Sequence, residues 1–336
     1  MDIGILKKQE FSCILGQDQT KHQLKSALLM NRHVLIVGPP GVGKTTLARN
    51  VADLLPKIEV NGCSFHCLPS HPVCPECIAK KSAKTIVLNG AERFIRIQGS
   101  PDLTVEDLIG DIDPLKALKF GPLSIEAFTP GKVFKANHGI LFFDEINRCP
   151  EKLQNALLQV LEEEKATLGA YTVDLPASFI FIATMNPEES AATESLSDVF
   201  LDRFDSIIMG YPENLDIEKK IVKIKGKKLD INFPDDVLGF AIAFVRALRE
   251  NKDIEKKPSV RASLGLYERA QSNAVLHARK QVSLEDIKDV VVSVLARRIS
   301  LKPSVSYLQR AEEFVSARFQ DFESGNGLDN FKGGCR

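Results

Sequence analysis

Gly38-Pro39-Pro40-Gly41-Val42-Gly43-Lys44-Thr45 fits the pattern G-x-x-x-x-G-K-[ST]. The flanks decide what its glycines mean. Before it, His33-Val-Leu-Ile-Val37 is a short apolar run that reads as a buried strand. After it, residues 45–55 place Leu47, Val51, Leu54 and Leu55 on one helical face. A glycine turn between strand and helix lets backbone N–H groups close on phosphate oxygens at the helix N-terminus. Residues 38–46, Thr46 included, are therefore expected to hold a nucleotide, with Lys44 reaching the β- and γ-phosphates and Thr45 ligating Mg²⁺. A chance glycine turn is the plain alternative, and the strand-to-helix context weighs against it.

Two further apolar runs end in polar groups. Ile140-Leu-Phe-Phe-Asp144-Glu145 is a strand-like run closed by two acids. That pair suits the two tasks the loop leaves open: Asp144 for hydrated Mg²⁺ and Glu145 for the attacking water. Solvated strand-end acids are the bland reading, and the preceding phosphate loop displaces it. Phe179-Ile-Phe-Ile-Ala-Thr184-Met-Asn186-Pro is the second run, where Asn186 can donate and accept toward water or the γ-phosphate. From the residue alone, an Asn capping a turn before Pro187 is the simpler reading.

The expected elements alternate. A helix over 18–30 precedes the first strand, further strands fall at 140–143, 179–183 and 206–209, and a helix over 150–164 lies between two of them. Such alternation implies an α/β core with a mostly parallel sheet covered by helices. After residue 214 the strands are expected to stop, with helices over 235–249, 259–280 and 283–298. Ser283 is the N-cap of the last, with Asp286 at the capping-box position. The resulting division is a nucleotide-binding core at 1–214, a linker at 215–231, a small all-helical lid at 232–320 and a frayed tail at 321–336.

Length and charge set the outer limits. With 336 residues, 44% of them apolar, the chain has material for about two domains. Lys plus Arg (44) equals Asp plus Glu (44), so no global field draws it onto DNA or an anionic membrane. A strongly basic nucleic-acid coat is excluded. The lysines at 219, 220, 223, 225, 227 and 228 form a local basic run without interleaved aromatics, and read as a solvated helix face and linker. No apolar stretch approaches the ~20 residues of a membrane span, and no apolar segment follows the lysines of the first ten residues. A cytoplasmic protein is expected.

Seven cysteines in a chain this long do not describe a secreted disulfide scaffold, a device of chains under about 80 to 100 residues. Four of them cluster in a stretch, 57–93, that reads as an insertion into the core. Cys63-x3-Cys67-x6-Cys74-x2-Cys77 places four soft ligands within 15 residues, and Cys74-Pro-Glu-Cys77 has zinc-knuckle spacing. Structural zinc is the leading reading, free thiols the second and an iron–sulfur cluster the third; His66 and His71 compete as ligands. Cys13, Cys149 and Cys335 stand apart and are assigned nothing.

In this order, GPPGVGKT, LFFDE, ATMNP and Phe200-Leu-Asp-Arg203-Phe resemble the AAA+ ATPases, and within them the MoxR and magnesium chelatase I-subunit branch. The likeness runs from about 15 to 303. Segments 110–118 and 128–140 resemble the chelatase I subunit; Asp144-Glu-Ile-Asn-Arg148 and 157–163 are more similar to MoxR. The resemblance implies an AAA+ P-loop core with a helical lid, ATP and Mg²⁺ as ligands, and a ring of subunits, six by family habit. It makes Arg203 the arginine finger toward a neighbour's γ-phosphate and Arg261, in Pro258-Ser-Val-Arg-Ala-Ser, the lid's second sensor. A planar, permanently charged guanidinium suits both roles, and a finger contributes roughly 10³ to 10⁵ in rate. Without that context, either arginine reads as a surface residue pairing with a local acid such as Asp202. Some chelatase I-like sequences also resemble this one in the cysteine-rich insertion.

By the same resemblance, a hairpin at 166–176 and an insertion at 104–127 face the substrate or partner, and the partner expected is a von Willebrand A-domain protein. The function implied is ATP hydrolysis that remodels or activates another protein. A nucleotide-gated clamp with little turnover is the second reading, opposed by Glu145. A DNA-remodelling motor is the third, opposed by the neutral charge, and nucleic acid is not an expected partner. A GTPase is disfavoured because Asn251-Lys252-Asp253 lacks the N-K-x-D spacing.

Overall fold

The computed structural model of the chain describes residues 4, 9–79, 84–122, 124–163, 165–168, 171–187 and 196–326. It packs as two units. The first comprises Met1–Ile14, Asp18–Gly38 and Gly43–Met209; the second comprises Leu15–Gln17, Pro39–Val42 and Gly210–Arg336.

The first unit opens with α1 (Asp18–Leu29), β1 (His33–Val37) and α2 (Lys44–Asp53), followed by β2 (Ile58–Asn61), α3 (Pro75–Ala79), β3 (Thr85–Leu88) and β4 (Phe94–Gln98). Then come α4 (Val105–Ile109), β5 (Gly110–Ile112), α5 (Pro114–Phe120), β6 (Phe128–Pro130), α6 (Lys132–Lys135) and β7 (Ile140–Asp144). It closes with α7 (Glu151–Glu163), β8 (Lys165–Leu168), β9 (Tyr171–Pro176), β10 (Ile180–Met185), α8 (Asp198–Leu201) and β11 (Phe204–Ile208). Five strands form one parallel sheet in the order β11-β1-β10-β7-β4. Val34, Leu35 and Ile36, Ile140 to Phe143, and Phe181 to Ala183 are all buried, which is why these strands are unbroken apolar runs. Chain order reverses around β1, where the crossovers diverge and the C-terminal strand ends open a crevice for a ligand.

Three antiparallel hairpins interrupt this core. β2 pairs with β3 from Ile58↔Leu88 to Asn61↔Thr85, so the predicted 57–93 insertion is built on a hairpin whose long connection carries the four cysteines. β5 pairs with β6 and brackets α5. β8 pairs with β9 from Lys165↔Pro176 to Leu168↔Tyr171, the hairpin expected at 166–176.

The second unit contains α9 (Leu215–Lys225), α10 (Asp235–Glu250), β12 (Ile254–Lys256), α11 (Val260–Leu276), α12 (Leu284–Leu295), β13 (Ser300–Leu301), α13 (Pro303–Ser306) and α14 (Ala311–Gly325). Phe240, Phe244, Leu266, Ile287, Val291, Phe314 and Phe319 make its core. The Ser283 N-cap holds: the Asp286 carboxylate accepts from Ser283 N at 2.8 Å and Oγ at 2.9 Å.

Four expectations need correction here. The stretch 215–231 is not simply a linker, because α9 occupies its first part. Asn214 caps that helix by accepting from Ile217 N at 2.9 Å, and Val222 is fully buried. Strands do not stop after residue 214, since β12 and β13 pair antiparallel. The chain is not frayed from Asp321, because α14 continues through Gly325; residues 327–336 lie outside the described residues. Within the lysine run, Lys219 is buried and salt-bridged to Asp235, so this one position is packed rather than solvated, while Lys223, which reaches Asp235 at 2.6 Å, stays exposed.

Candidate nucleotide site

Gly38 follows β1 directly, and its N–H donates to Met185 O at 3.1 Å, tying the loop to the end of β10. A Cβ at this position would run into the carbonyl oxygen of Met209, so only glycine fits. Gly43 is the N-cap of α2 with φ 109°, a left-handed conformation that side chains rarely adopt, and no side chain caps the helix. The first turn of α2 therefore presents backbone N–H groups and the positive end of its dipole, the arrangement that receives phosphate. Lys44 Nζ folds back over the loop and donates to Gly38 O at 2.5 Å.

Opposite the loop, the C-terminal ends of β7 and β10 bring hard oxygen ligands together. Thr45 Oγ1 donates to Asp144 Oδ2 at 3.3 Å, across 99 residues of sequence. Thr184 Oγ1 donates to Asp144 Oδ1 at 2.7 Å and accepts from Glu145 N at 3.0 Å. Arg96 Nη2 reaches Asp144 Oδ2 at 2.7 Å. Glu145 itself adopts φ +57°, a sparsely populated conformation for a side chain of this size. Its carboxylate accepts from Gln98 Nε2 and Arg148 Nη1, both at 3.0 Å. Asn186 is buried one residue beyond β10.

The structure thus brings Lys44, Thr45, Asp144 and Glu145 to one strand-end crevice and places Asn186 at the end of the neighbouring strand. Arg203 stands elsewhere on the first unit. It follows α8, is half-exposed, and is salt-bridged to Glu162 on α7 rather than to Asp202. Arg261 belongs to the second unit, where its N–H donates to the Ser259 cap of α11 at 3.2 Å. Pro39–Val42 pack with that unit, and a Cβ on Gly41 would lie 2.9 Å from Ser259 Oγ and 3.3 Å from Arg261 Cγ.

Sequence reasoning gave no role to Thr184, Arg96, Gln98 or Arg148. The register supplies the first three: Ala183 pairs with Phe143, and Gln98 with Asp144, so their neighbours converge on the two acids, whereas Arg148 reaches Glu145 locally, three residues along the chain. The legible signal was polar residues at the ends of, or alternating along, otherwise apolar strands.

The oxygen-rich set of Thr45 and Asp144 fits Mg²⁺, and the glycine cradle with the uncapped helix fits a phosphate chain. Residues 72–206 match the family model described as ATPase family associated with various cellular activities (AAA), residues 246–317 match the AAA lid domain, and residues 10–65 match magnesium chelatase, subunit ChlI. The chloroplastic magnesium-chelatase subunit ChlI-2 of Arabidopsis thaliana is 30% identical over 87% of this chain and 76% of its own length.

This chain belongs to the AAA+ ATPases of the magnesium-chelatase ChlI and MoxR branch. The other side of that branch is represented by chaperone MoxR1 of Mycobacterium tuberculosis, 29% identical over 86% of this chain and 73% of its own. A chain from the BchI–BchD complex of magnesium chelatase shares the fold, with TM-score 0.51 and 22% identity over 91% of this chain and 98% of that one. The AAA+ core with a helical lid is therefore the architecture of this protein. Among the described residues no helix is long and apolar enough to cross a membrane.

Proposed function

We propose that this protein hydrolyses MgATP as one subunit of a ring and passes the resulting movement to a partner protein.

 The chemistry rests on positioning and charge stabilisation, with no covalent intermediate. The observation that carries this reading is the convergence of Thr45, Thr184 and Asp144 beside a glycine cradle at the start of α2. Mg²⁺ held by Thr45 and Asp144 supplies neutralising charge to the phosphate oxygens. Lys44 binds the β- and γ-phosphates, Glu145 orients the attacking water, and Asn186 senses the γ-phosphate. In this reading Arg203, half-exposed and paired with Glu162, leaves that pair for the nucleotide of a neighbouring subunit, and Arg261 is the lid's sensor.

The partner-facing elements are the 104–127 insertion and the β8–β9 hairpin. α5 buries none of its residues, and Leu115, Leu118 and Phe120 are exposed on it, which suits docking to an apolar surface. A von Willebrand A-domain protein is the partner class we favour, by likeness to the branch. A hexamer working in the cytoplasm completes the reading, in keeping with the free cysteines of the described chain.

The test is a pair of variants. Glu145→Gln is expected to keep ATP binding and lower turnover at least 100-fold. Arg203→Ala is expected to be inactive alone and to regain turnover when mixed with Glu145→Gln subunits, because each supplies what the other lacks. A monomer in MgATP whose rate is indifferent to both changes would overturn the proposal.

A further inference from the structure

We propose that Cys63, Cys67, Cys74 and Cys77 bind one Zn²⁺ ion as a tetrathiolate, which fastens the long connection between β2 and β3 to the core of the first unit. The inference is independent of the nucleotide site and of its activity.

The four Sγ atoms all lie within 4.8 Å of one another. A tetrahedral zinc with Zn–S near 2.3 Å sets its sulfurs roughly 3.8 Å apart, so these side chains close on an ion with small adjustments. The donors are all soft sulfur, which excludes Mg²⁺ and Ca²⁺ and selects zinc or iron. An iron–sulfur cluster places several metal ions and sulfides between its thiolates and needs a wider cage than a single ion; this compact group favours the single ion.

Backbone amides already face the sulfurs. Cys67 N donates to Cys63 Sγ at 3.3 Å, Val73 N to Cys67 Sγ at 3.4 Å, and Cys77 N to Cys74 Sγ at 3.4 Å. Such N–H groups offset the negative charge that four thiolates bring to one ion. The histidines that compete in the sequence drop out: neither His66 nor His71 belongs to the group, and the four sulfurs already complete a tetrahedral set. The ligand set is four cysteines.

The surroundings explain why a metal is needed. Cys67, Cys74 and Cys77 are buried in the main core together with Phe65, whose ring lies 5.4 Å from Phe134 and 6.3 Å from Phe128. Among the described residues of this connection the only helix is α3, of five residues. A segment with so little regular structure gains its order from the ion, as small metal-bound loops do.

The experiment uses the full chain purified under reducing conditions. Elemental analysis is expected to give one zinc per chain, released in step with the mercuration of four thiols. Co²⁺ exchanged into the site is expected to show the absorption of a tetrahedral thiolate complex. Cys74→Ser with Cys77→Ser should abolish binding, while His66→Ala and Cys13→Ser should retain the full zinc content. Because the wild-type measurements stand alone, misfolding of the double variant does not blur the result. A wild-type chain that neither carries zinc nor gives the Co²⁺ spectrum overturns the proposal, as would iron with inorganic sulfide, or loss of the metal in His66→Ala.

Discussion

Thr184 Oγ1 donates to Asp144 Oδ1 at 2.7 Å while accepting from Glu145 N at 3.0 Å, so one hydroxyl on β10 fixes both acids at the end of β7. The first bond fixes the carboxylate assigned to Mg²⁺, and the second supports the left-handed backbone that directs Glu145. A hydrogen bond to a charged group contributes about 1.5–3 kcal/mol. Thr184→Val is therefore expected to lower ATP turnover by about 10- to 100-fold. Thr184→Ser, which keeps the hydroxyl, should stay close to wild type. Steady-state turnover set beside nucleotide affinity checks this, and a Val variant with unchanged kcat would remove Thr184 from the mechanism.

The two glycines of the loop should fail for different reasons. An alanine at Gly38 meets the backbone oxygen of Met209, next to the bond from Met209 N to Val37 O at 2.8 Å, so β1 and β11 must separate locally. Overpacking of this kind costs about 1–3 kcal/mol, so Gly38→Ala should lose both stability and nucleotide binding. An alanine at Gly43 has room, its nearest neighbour being Ile14 Cδ1 at 3.4 Å, but must hold φ 109°. Gly43→Ala should thus relax the loop and weaken nucleotide binding with a smaller change in unfolding midpoint. Thermal melts paired with nucleotide titration separate the two cases.

A buried charge cluster holds the second unit. Glu218 is fully buried and receives Arg249 through Nη1 at 2.7 Å and Nη2 at 2.6 Å, together with Ser263 Oγ at 2.6 Å. Glu218→Ala leaves the Arg249 guanidinium buried without its counter-charge and is expected to cost about 3–5 kcal/mol. Glu218→Leu combined with Arg249→Met should cost less than either of these changes alone, because the buried Arg249 charge leaves with its partner, and Arg246, 3.4 Å from Glu218 Oε2, keeps Pro212 O and Glu213 O as acceptors. Denaturant unfolding of the four proteins tests this; additive losses would show that the pair is not coupled.

What the sequence made legible follows from how local each signal is. The loop 38–45 and the acids Asp144 and Glu145 lie next to unbroken apolar strands, so their context is readable within a few residues. Thr184, Arg96 and Gln98 reach Asp144 and Glu145 only through strand register, across about 40 to 50 residues of chain, and their polar positions in apolar strands do not say which acid they meet. The lysines of α9 read as a solvated helix face and linker, and its packed side stayed hidden: a buried Lys219 paired with Asp235 sits where helical periodicity calls for an apolar residue. The cysteine spacing pointed to a metal, but only the convergence of the four Sγ atoms within 4.8 Å of one another, with no histidine in the group, separates a four-cysteine ligand set from one that includes histidine.

His33 gives the first unit a pH dependence of definite sign. Burial, aided by the neighbouring Arg32 charge, pushes its imidazole down from 6.5 to about 4, and the neutral ring accepts a hydrogen bond from Phe181 N at 3.2 Å. Between these values the unfolded chain binds a proton that the folded chain refuses. The contribution of His33 is therefore complete above about pH 6.5 and is lost progressively as the pH falls toward 4, amounting to about 2 kcal/mol by pH 5. Replacing His33 by Asn, whose Oδ1 can accept from the same amide but does not titrate, should flatten this slope. His138, also pushed down by burial and by Arg93, is present in both proteins and cancels in the comparison. Unfolding free energies of the two proteins at about pH 7 and about pH 5 give the answer, and equal slopes would rule out His33 as their source.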